Sequence, residues 1–162
     1  MLNINVICVG KIKEKSLSEL IDEYSKRLSK YCKLNIVELD DEKISTSPTL
    51  AEEEIIRVKE AKKIIEKIEK IGKTHVILLD LQGKQYTSEE FSKKILNIST
   101  CDSSSITFIV GGSLGFSSQL RNMYNDKISF SKMTFPHQLF RVFLLEQIFR
   151  SFKILNNETY HH

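Results

Sequence analysis

An α/β fold, with a mainly parallel sheet flanked by helices, is the class this sequence predicts. Three observations predict it. Strand-like and helix-like segments alternate without interruption along the chain. The strand-like runs are almost continuously apolar, as strands covered on both faces are, rather than alternating with polar residues. The segments between them are long enough to hold the crossover helices that parallel strands need.

Residues 3–9 form the first such run, stopping at Gly10. Leu17, Leu20, Ile21, Tyr24, Leu28 and Tyr31 then recur at spacings of three, four and seven, the mark of an amphipathic helix. Residues 34–39 read as a second strand, and the polar, Pro48-containing stretch 40–49 as a mobile loop. A long helix over Leu50–Ile71 follows, with Ile55, Val58, Ala61, Ile65 and Ile68 on its inner side and Gly72 closing it. Its many Lys and Glu residues read as a solvated face with i,i+4 pairs. Residues 75–81 are a third strand, apolar apart from Asp80, after which Gln82-Gly83-Lys84 is expected to turn the chain. Thr87-Ser88-Glu89-Glu90 is a capping box for a helix through Phe91, Ile95 and Ile98.

The run 106–155 organises the rest. Ile106-Thr107-Phe108-Ile109-Val110 is β-branched and aromatic and ends abruptly at Gly111-Gly112-Ser113-Leu114-Gly115. Glycines there permit either a turn through φ > 0 or a close approach of backbone to a ligand. A short helix is predicted over 117–124 with Ser117 as N-cap, then a strand over 128–130. Pro136 suits the first turn of a last helix over 136–155. That helix is apolar round most of its circumference, with Glu146, Arg150 and Lys153 as a narrow solvent stripe. A helix of this kind is covered on more than one side. A chain of this size has little left to do it, so a homodimer through this helix is expected.

Gly111-Gly112-Ser113-Leu114-Gly115, the block 130–138 (Phe-Ser-Lys-Met-Thr-Phe-Pro-His-Gln), Arg141, Glu146-Gln147 and Tyr160-His161 form a distinctive set. With Val9-Gly10-Lys11 and Leu81-Gln82-Gly83, they make the whole chain resemble the bacterial ribosomal RNA large subunit methyltransferase H family. The resemblance implies a SPOUT-type α/β knot, with a deep trefoil knot at the C-terminal end. It implies a homodimer that uses S-adenosylmethionine to methylate N3 of pseudouridine 1915 in helix 69 of 23S rRNA, on the assembled ribosome. Periodicity alone carries no sign of a knot, which ordinary connection rules exclude. In the family, segments equivalent to Leu79 and its neighbours, to Gly111 and Gly112, and to Phe130, Ser131, Lys132, Met133, Thr134 and Phe135 form the cofactor pocket. The partner's tail faces that pocket. The family tail continues past Tyr-His with a basic residue, where His162 stands here.

The rest of the composition sets limits. The 162 residues fit one domain, and 41% hydrophobic with 28% charged content is ordinary for a soluble globular chain. Cys8, Cys32 and Cys101 are odd in number and show no metal or redox spacing, so a reducing cytoplasm, no disulfide and no metal are expected. No run is long enough for a signal core or a membrane span. Residues 1–35, 36–72 and 73–162 carry +3, −3 and +3, which is compatible with an RNA substrate without demanding one.

Parallel α/β sheets bind ligands beyond the carboxyl ends of their strands, where Leu79, Gly111-Gly112 and residues 130–135 all fall. The glycine stretch is not G-x-G-x-x-G and follows the fourth strand, not the first, which weighs against a dehydrogenase and an open-sheet methyltransferase. No P-loop motif exists. Methyl transfer from a sulfonium needs chiefly placement. A uracil-type imide must also lose a proton, with a cation to steady the anion. Arg141, His137, Tyr160 and His161 are the candidates for these roles. Two other readings are a ribosome-associated binding protein that keeps the pocket without turnover, and a knotted methyltransferase acting on another RNA.

Overall fold

The computed structural model describes residues 1–160. Within them the order is β1 (Leu2–Val9), α1 (Lys15–Leu28), β2 (Cys32–Leu39), α2 (Leu50–Ile71) and β3 (His75–Gln85). It continues with α3 (Ser88–Cys101), β4 (Ser105–Val110), α4 (Ser118–Met123), β5 (Lys127–Ser129) and α5 (His137–Leu155). All strand pairs are parallel, and the five strands run β2-β1-β4-β3-β5 across the sheet.

The continuous apolar runs are explained by a sheet covered on both faces. Ile4, Val6, Cys8, Ile77, Ile106 and Phe108 point to one core with Leu28 of α1, Ile95 of α3 and Leu144 and Ile148 of α5. Their sequence neighbours Ile7, Val9, Val76, Leu78 and Ile109 point to the other, with Ala61, Ile64 and Ile68 of α2 and Leu120 of α4. Each fully buried aliphatic side chain is worth roughly 1.5–3 kcal/mol, so both faces matter to stability. One polar seam crosses the sheet: Asn5 is buried and its amide donates to Ser105 Oγ and Thr107 Oγ1, both at 3.3 Å. Satisfied in this way, the seam penalises a slip of β1 against β4.

Local signals predicted several ends. Thr87 and Glu90 complete the capping box reciprocally, at 3.1 and 2.8 Å. Ser117 caps α4 through Leu120 N–H at 3.2 Å, and Gly72 ends α2 at φ +86°.

Other expectations are corrected. Gln82-Gly83-Lys84 does not turn the chain; β3 bulges between Leu79 and Lys84 and rejoins β5, so that Ile128 pairs with both residues. The inner face of α2 is Ile56, Glu60, Ala61, Ile64 and Ile68, while Ile55 is 55% exposed and Val58 also faces out. Two apolar stripes that share Ala61 and Ile68 compete on that helix, and the one with Ile64 approaches the sheet. Leu20 is exposed and Tyr31 lies beyond the end of α1. β2 starts at Cys32, β5 is Lys127–Ser129 and leaves Phe130 outside, and Pro136 is the N-cap of α5 rather than its first residue.

α5 is covered largely by its own chain. Every residue of α5 is buried or half-buried within the single chain, because the helix lies against α1 and α3. Glu146, Arg150 and Lys153 are not a free solvent stripe. Arg150 binds Glu146 at 2.7 Å and stacks over the Tyr160 ring, while Lys153 binds Glu158 at 2.6 Å. The C-terminal segment folds back over them. No helix among the described residues is long and apolar enough to cross a membrane.

Candidate functional site

The bulge of β3 and the carboxyl ends of β4 and β5 open into one cavity of about 650 Å³, a size suited to a small molecule. Leu79 to Gln82 form one wall, Gly111 to Phe116 another, and Ile128 to Phe130 with Thr134 to His137 the third.

The glycine wall is shaped from behind. A Cβ on Gly111 would lie 2.9 Å from the Phe116 ring, and one on Gly112 would lie 3.1 Å from Glu60 Oε1. Neither residue has a positive φ, whereas Gly115 does, at +76°. Close approach is therefore the reason for Gly111 and Gly112, and turn geometry is the reason for Gly115. α2 braces this loop: Arg57 Nε donates to Leu114 O at 2.9 Å. Glu60 is buried beside it, its carboxyl pushed above the usual range by desolvation.

The wall after β5 is tied to itself and to α5. Ser129 Oγ donates to Ser131 O at 2.9 Å, and Ser131 Oγ accepts Met133 N–H at 3.0 Å. Phe130 packs on Phe140 with centroids 6.2 Å apart, and Phe135 meets Phe140 and Phe143 edge to face at 5.7 and 5.6 Å. These contacts fix two aromatic faces at the cavity's edge. A second cavity of about 340 Å³ shares Ile128, Ser129, Phe130 and Phe135 and extends to Tyr86, Phe143 and Gln147.

The residues singled out in the sequence divide accordingly. Leu79, Gly111, Gly112, Phe130, Thr134, Phe135 and His137 line the first cavity. Ser131 lines only the second. Lys132 and Met133 line neither, and Met133 is 72% exposed. Arg141 is 2% exposed and away from the lining. Its Nη1 donates to Glu38 Oε2 and its Nη2 to the Gly10 carbonyl, both at 2.6 Å, which fastens α5 to the ends of β1 and β2.

His137, one turn before Arg141, reaches the cavity near Gly10, and its Nε2 would lie 3.4 Å from a Cβ there. Burial first, and the Arg141 charge second, hold its imidazole below the usual 6.5. Tyr160 lies against its own α5, edge-on to Phe149 at 5.0 Å and donating to Glu146 Oε1 at 3.1 Å. It does not line the cavity. His161 falls outside the described residues.

Sequence reasoning missed a charged pair in the wall. Asp80 Oδ2 faces Arg121 Nε at 3.0 Å. An aspartate ending an otherwise apolar buried strand was the available signal, since such a charge needs a partner; Glu60, a carboxylate in the inner stripe of α2, was another.

In contour the cavity pairs bare backbone at the glycine loop with apolar flanks at Leu79, Phe130 and Phe135. That suits an uncharged purine held by main-chain groups.

The model of the family described as predicted SPOUT methyltransferase matches residues 2–161. A protein of Clostridium botulinum strain Hall, named ribosomal RNA large subunit methyltransferase H, is 58% identical over 160 residues, covering 99% of both chains. One from Clostridium perfringens strain SM101, named ribosomal RNA large subunit methyltransferase H 1, is 55% identical over the same share of each. A solved structure from Legionella pneumophila, described as a methyltransferase with its cofactor S-adenosylmethionine bound, gives a TM-score of 0.47 at 15% identity. It covers 93% of this chain and 66% of that one. By the family match over nearly its entire length, and by relatives that share more than half of its residues, this chain belongs to the SPOUT methyltransferase family.

Proposed function

We propose that this protein is a homodimeric, cytoplasmic enzyme that methylates N3 of pseudouridine 1915 in helix 69 of 23S rRNA on the assembled ribosome. The methyl donor is S-adenosylmethionine. The observation that carries the reading is the convergence of the β3 bulge at Leu79, Gly111-Gly112 after β4, and Phe130 with Thr134-Phe135 after β5, on one cavity of about 650 Å³. The names of the relatives, all of them large-subunit rRNA methyltransferases, support the substrate. The strand order, with β4 between β1 and β3, and α5 returning over α1 and α3 are consistent with a C-terminal trefoil knot.

Bound in that cavity, S-adenosylmethionine supplies an electrophilic methyl group whose departure leaves a neutral thioether. Leu79, Phe130 and Phe135, which line the cavity, would flank its adenine, and the backbone at Gly111 and Gly112 would meet the ring edge. The chain's own contribution is placement and proton handling. As the N3 lone pair forms the new N–C bond, the N3 proton must leave. His137 lines the cavity with its pKa depressed, so it is neutral near pH 7 and able to accept that proton. Arg141, committed to Glu38 and Gly10, acts as a positioning residue that holds the turn of His137 and keeps the imidazole uncharged. Ser131, Lys132 and Met133 shape the loop on the substrate side of the cavity. Tyr160 and His161 are the candidates for contacting the substrate across the dimer, His161 lying outside the described residues. Phe140 and Phe143 of α5, half-buried beside Phe135, offer the apolar surface for that contact.

Two measurements test the reading. Mass mapping of 23S rRNA from cells with and without the protein should differ by one methyl group at that pseudouridine, and identical masses would overturn the assignment. Light scattering should give a dimer at micromolar concentration, and a monomer would remove the composite site.

A further inference from the structure

The cavity carries few charges. Among its lining side chains Asp80 is the single carboxylate and Arg121 the single guanidinium or ammonium, with His137 the remaining titratable group. Asp80 is 7% exposed and uses its oxygens separately. Oδ1 accepts Gln82 N–H at 3.1 Å within the β3 bulge, and Oδ2 faces Arg121 Nε at 3.0 Å. Those last two atoms are buried without an aligned hydrogen bond, so their charges hold them together. The outer half of the guanidinium differs. The Arg121 side chain is 35% exposed, and its terminal amino groups have no ion pair or hydrogen bond among the described residues. A guanidinium gripped through Nε keeps four N–H donors in a rigid planar fork, the geometry that matches a carboxylate.

Resting on the reading of this cavity as the methyl-donor pocket, the structure assigns to Arg121 the recognition of the α-carboxylate at the donor's amino-acid end, with Asp80 as the positioning residue that aims it. Adenine and ribose are uncharged and the sulfonium is positive, so the carboxylate is the donor's one anionic group. Location favours the donor over an RNA phosphate. Asp80 directly follows Leu79, and Arg121 Nη2 would lie 3.7 Å from a Cβ on Gly115. The fork therefore sits between the β3 wall and the glycine wall. Lys132, the cation of the loop after β5, is exposed and outside the lining.

The test compares S-adenosylmethionine with 5′-methylthioadenosine, which keeps the adenine and ribose, carries a neutral methylthio group in place of the sulfonium and lacks the amino-acid end, by calorimetry on the full-length protein. Arg121→Gln should weaken S-adenosylmethionine about ten- to a hundredfold, the range of one charge-assisted hydrogen-bonded contact, and change methylthioadenosine less than about twofold. Arg121→Lys should recover part of the loss, and Asp80→Asn should fall between wild type and Arg121→Gln. Retained methylthioadenosine binding also shows that the variant pocket is folded. Equal weakening of both ligands would make Arg121 a structural brace and overturn the assignment. So would unchanged S-adenosylmethionine affinity with a raised KM for ribosomes, which would put the arginine on RNA. Wild-type protein that bound neither nucleoside would refute the pocket reading itself.

Discussion

The two sides of the sheet differ in regularity. β1 pairs with β2 through eight consecutive positions, Leu2↔Cys32 to Val9↔Leu39, and with β4 from Asn3↔Ser105 to Cys8↔Val110, with no shift. β3 and β5 pair at four positions only, and the register jumps between Leu79 and Lys84. The regular side carries buried aliphatic surface and one polar seam. The irregular side gives up ladder hydrogen bonds to open a cavity, and its bulge places Asp80 to Gln82 in the wall. Stability and ligand binding should therefore be separable by substitution on the regular side and entangled on the irregular side.

Gly83→Val should have the largest effect. A Cβ there would sit 2.6 Å from the Ile128 carbonyl carbon and 2.7 Å from its nitrogen, and backbone cannot yield as a side chain does. We expect a loss of roughly 3 kcal/mol or more in urea unfolding together with loss of donor binding. Ile7→Ala, in the regular half and fully buried, should cost about 2–5 kcal/mol while donor affinity in the folded fraction stays within about twofold. If Ile7→Ala weakened binding as severely as Gly83→Val, the division of labour would be broken. Gly111→Val comes next. The added atoms would meet the movable Phe116 ring, so stability should drop by only about 1–3 kcal/mol. Calorimetry should nevertheless detect no S-adenosylmethionine binding; equal affinity for both proteins would remove Gly111 from the pocket.

The same contrast governs what could be read from sequence. β1, β4 and the ends of α2, α3 and α4 obey local rules, a run of apolar residues or a cap three positions from its partner, and they were legible. The second half of β3 was not, because Gly83, Lys84 and Gln85 are turn-like residues whose strand conformation depends on pairing with β5, over forty residues later. Ile55 and Val58 misled for a related reason: α2 has two apolar stripes, and long-range packing against the sheet decides which one faces inward. Of the pocket, Leu79, the glycines and the aromatic residues were found by family resemblance and strand-end geometry. Asp80 and Arg121 were missed because their pairing spans the bulge and α4. Arg141 was recognised as special, but its side chain serves the junction of α5 with β1 and β2.

That junction gives a smaller effect. Arg141→Met keeps most of the side-chain volume but leaves the Gly10 carbonyl without its donor, while Glu38, 38% exposed, can turn to water. A destabilisation of about 1–3 kcal/mol is expected, the cost of one unsatisfied buried group. The His137 pKa should rise part of the way toward its usual value, since burial, the larger cause of the lowering, remains while the Arg141 charge is gone. An NMR titration of the imidazole that did not move would disconnect the two residues.

The smallest effect is a cancellation. His137 has a folded pKa below its ordinary 6.5, so unfolding takes up a proton. The associated stability is full above pH 6.5 and is lost as pH falls through the folded value. Glu60 has a folded pKa above its ordinary 4.5, from desolvation and the nearby Asp41 charge, opposed by the hydrogen bond it accepts from Glu42 N–H and by Lys63. Its contribution is full below pH 4.5 and is lost as pH rises through the folded value. Glu42 and Glu158, whose carboxyls are lowered from 4.5, act only below that pH. The two slopes are therefore opposite in sign: the Glu60 slope runs upward in pH from 4.5, the His137 slope runs downward from 6.5, and each offsets the other in the urea midpoint of the unmodified protein where they overlap. His137→Gln should unmask a decline with rising pH, and Glu60→Gln a rise. Because Glu60 braces the glycine loop and His137 lines the cavity from the other side, parallel profiles in all three proteins would mean that neither wall is held by the buried group beside it.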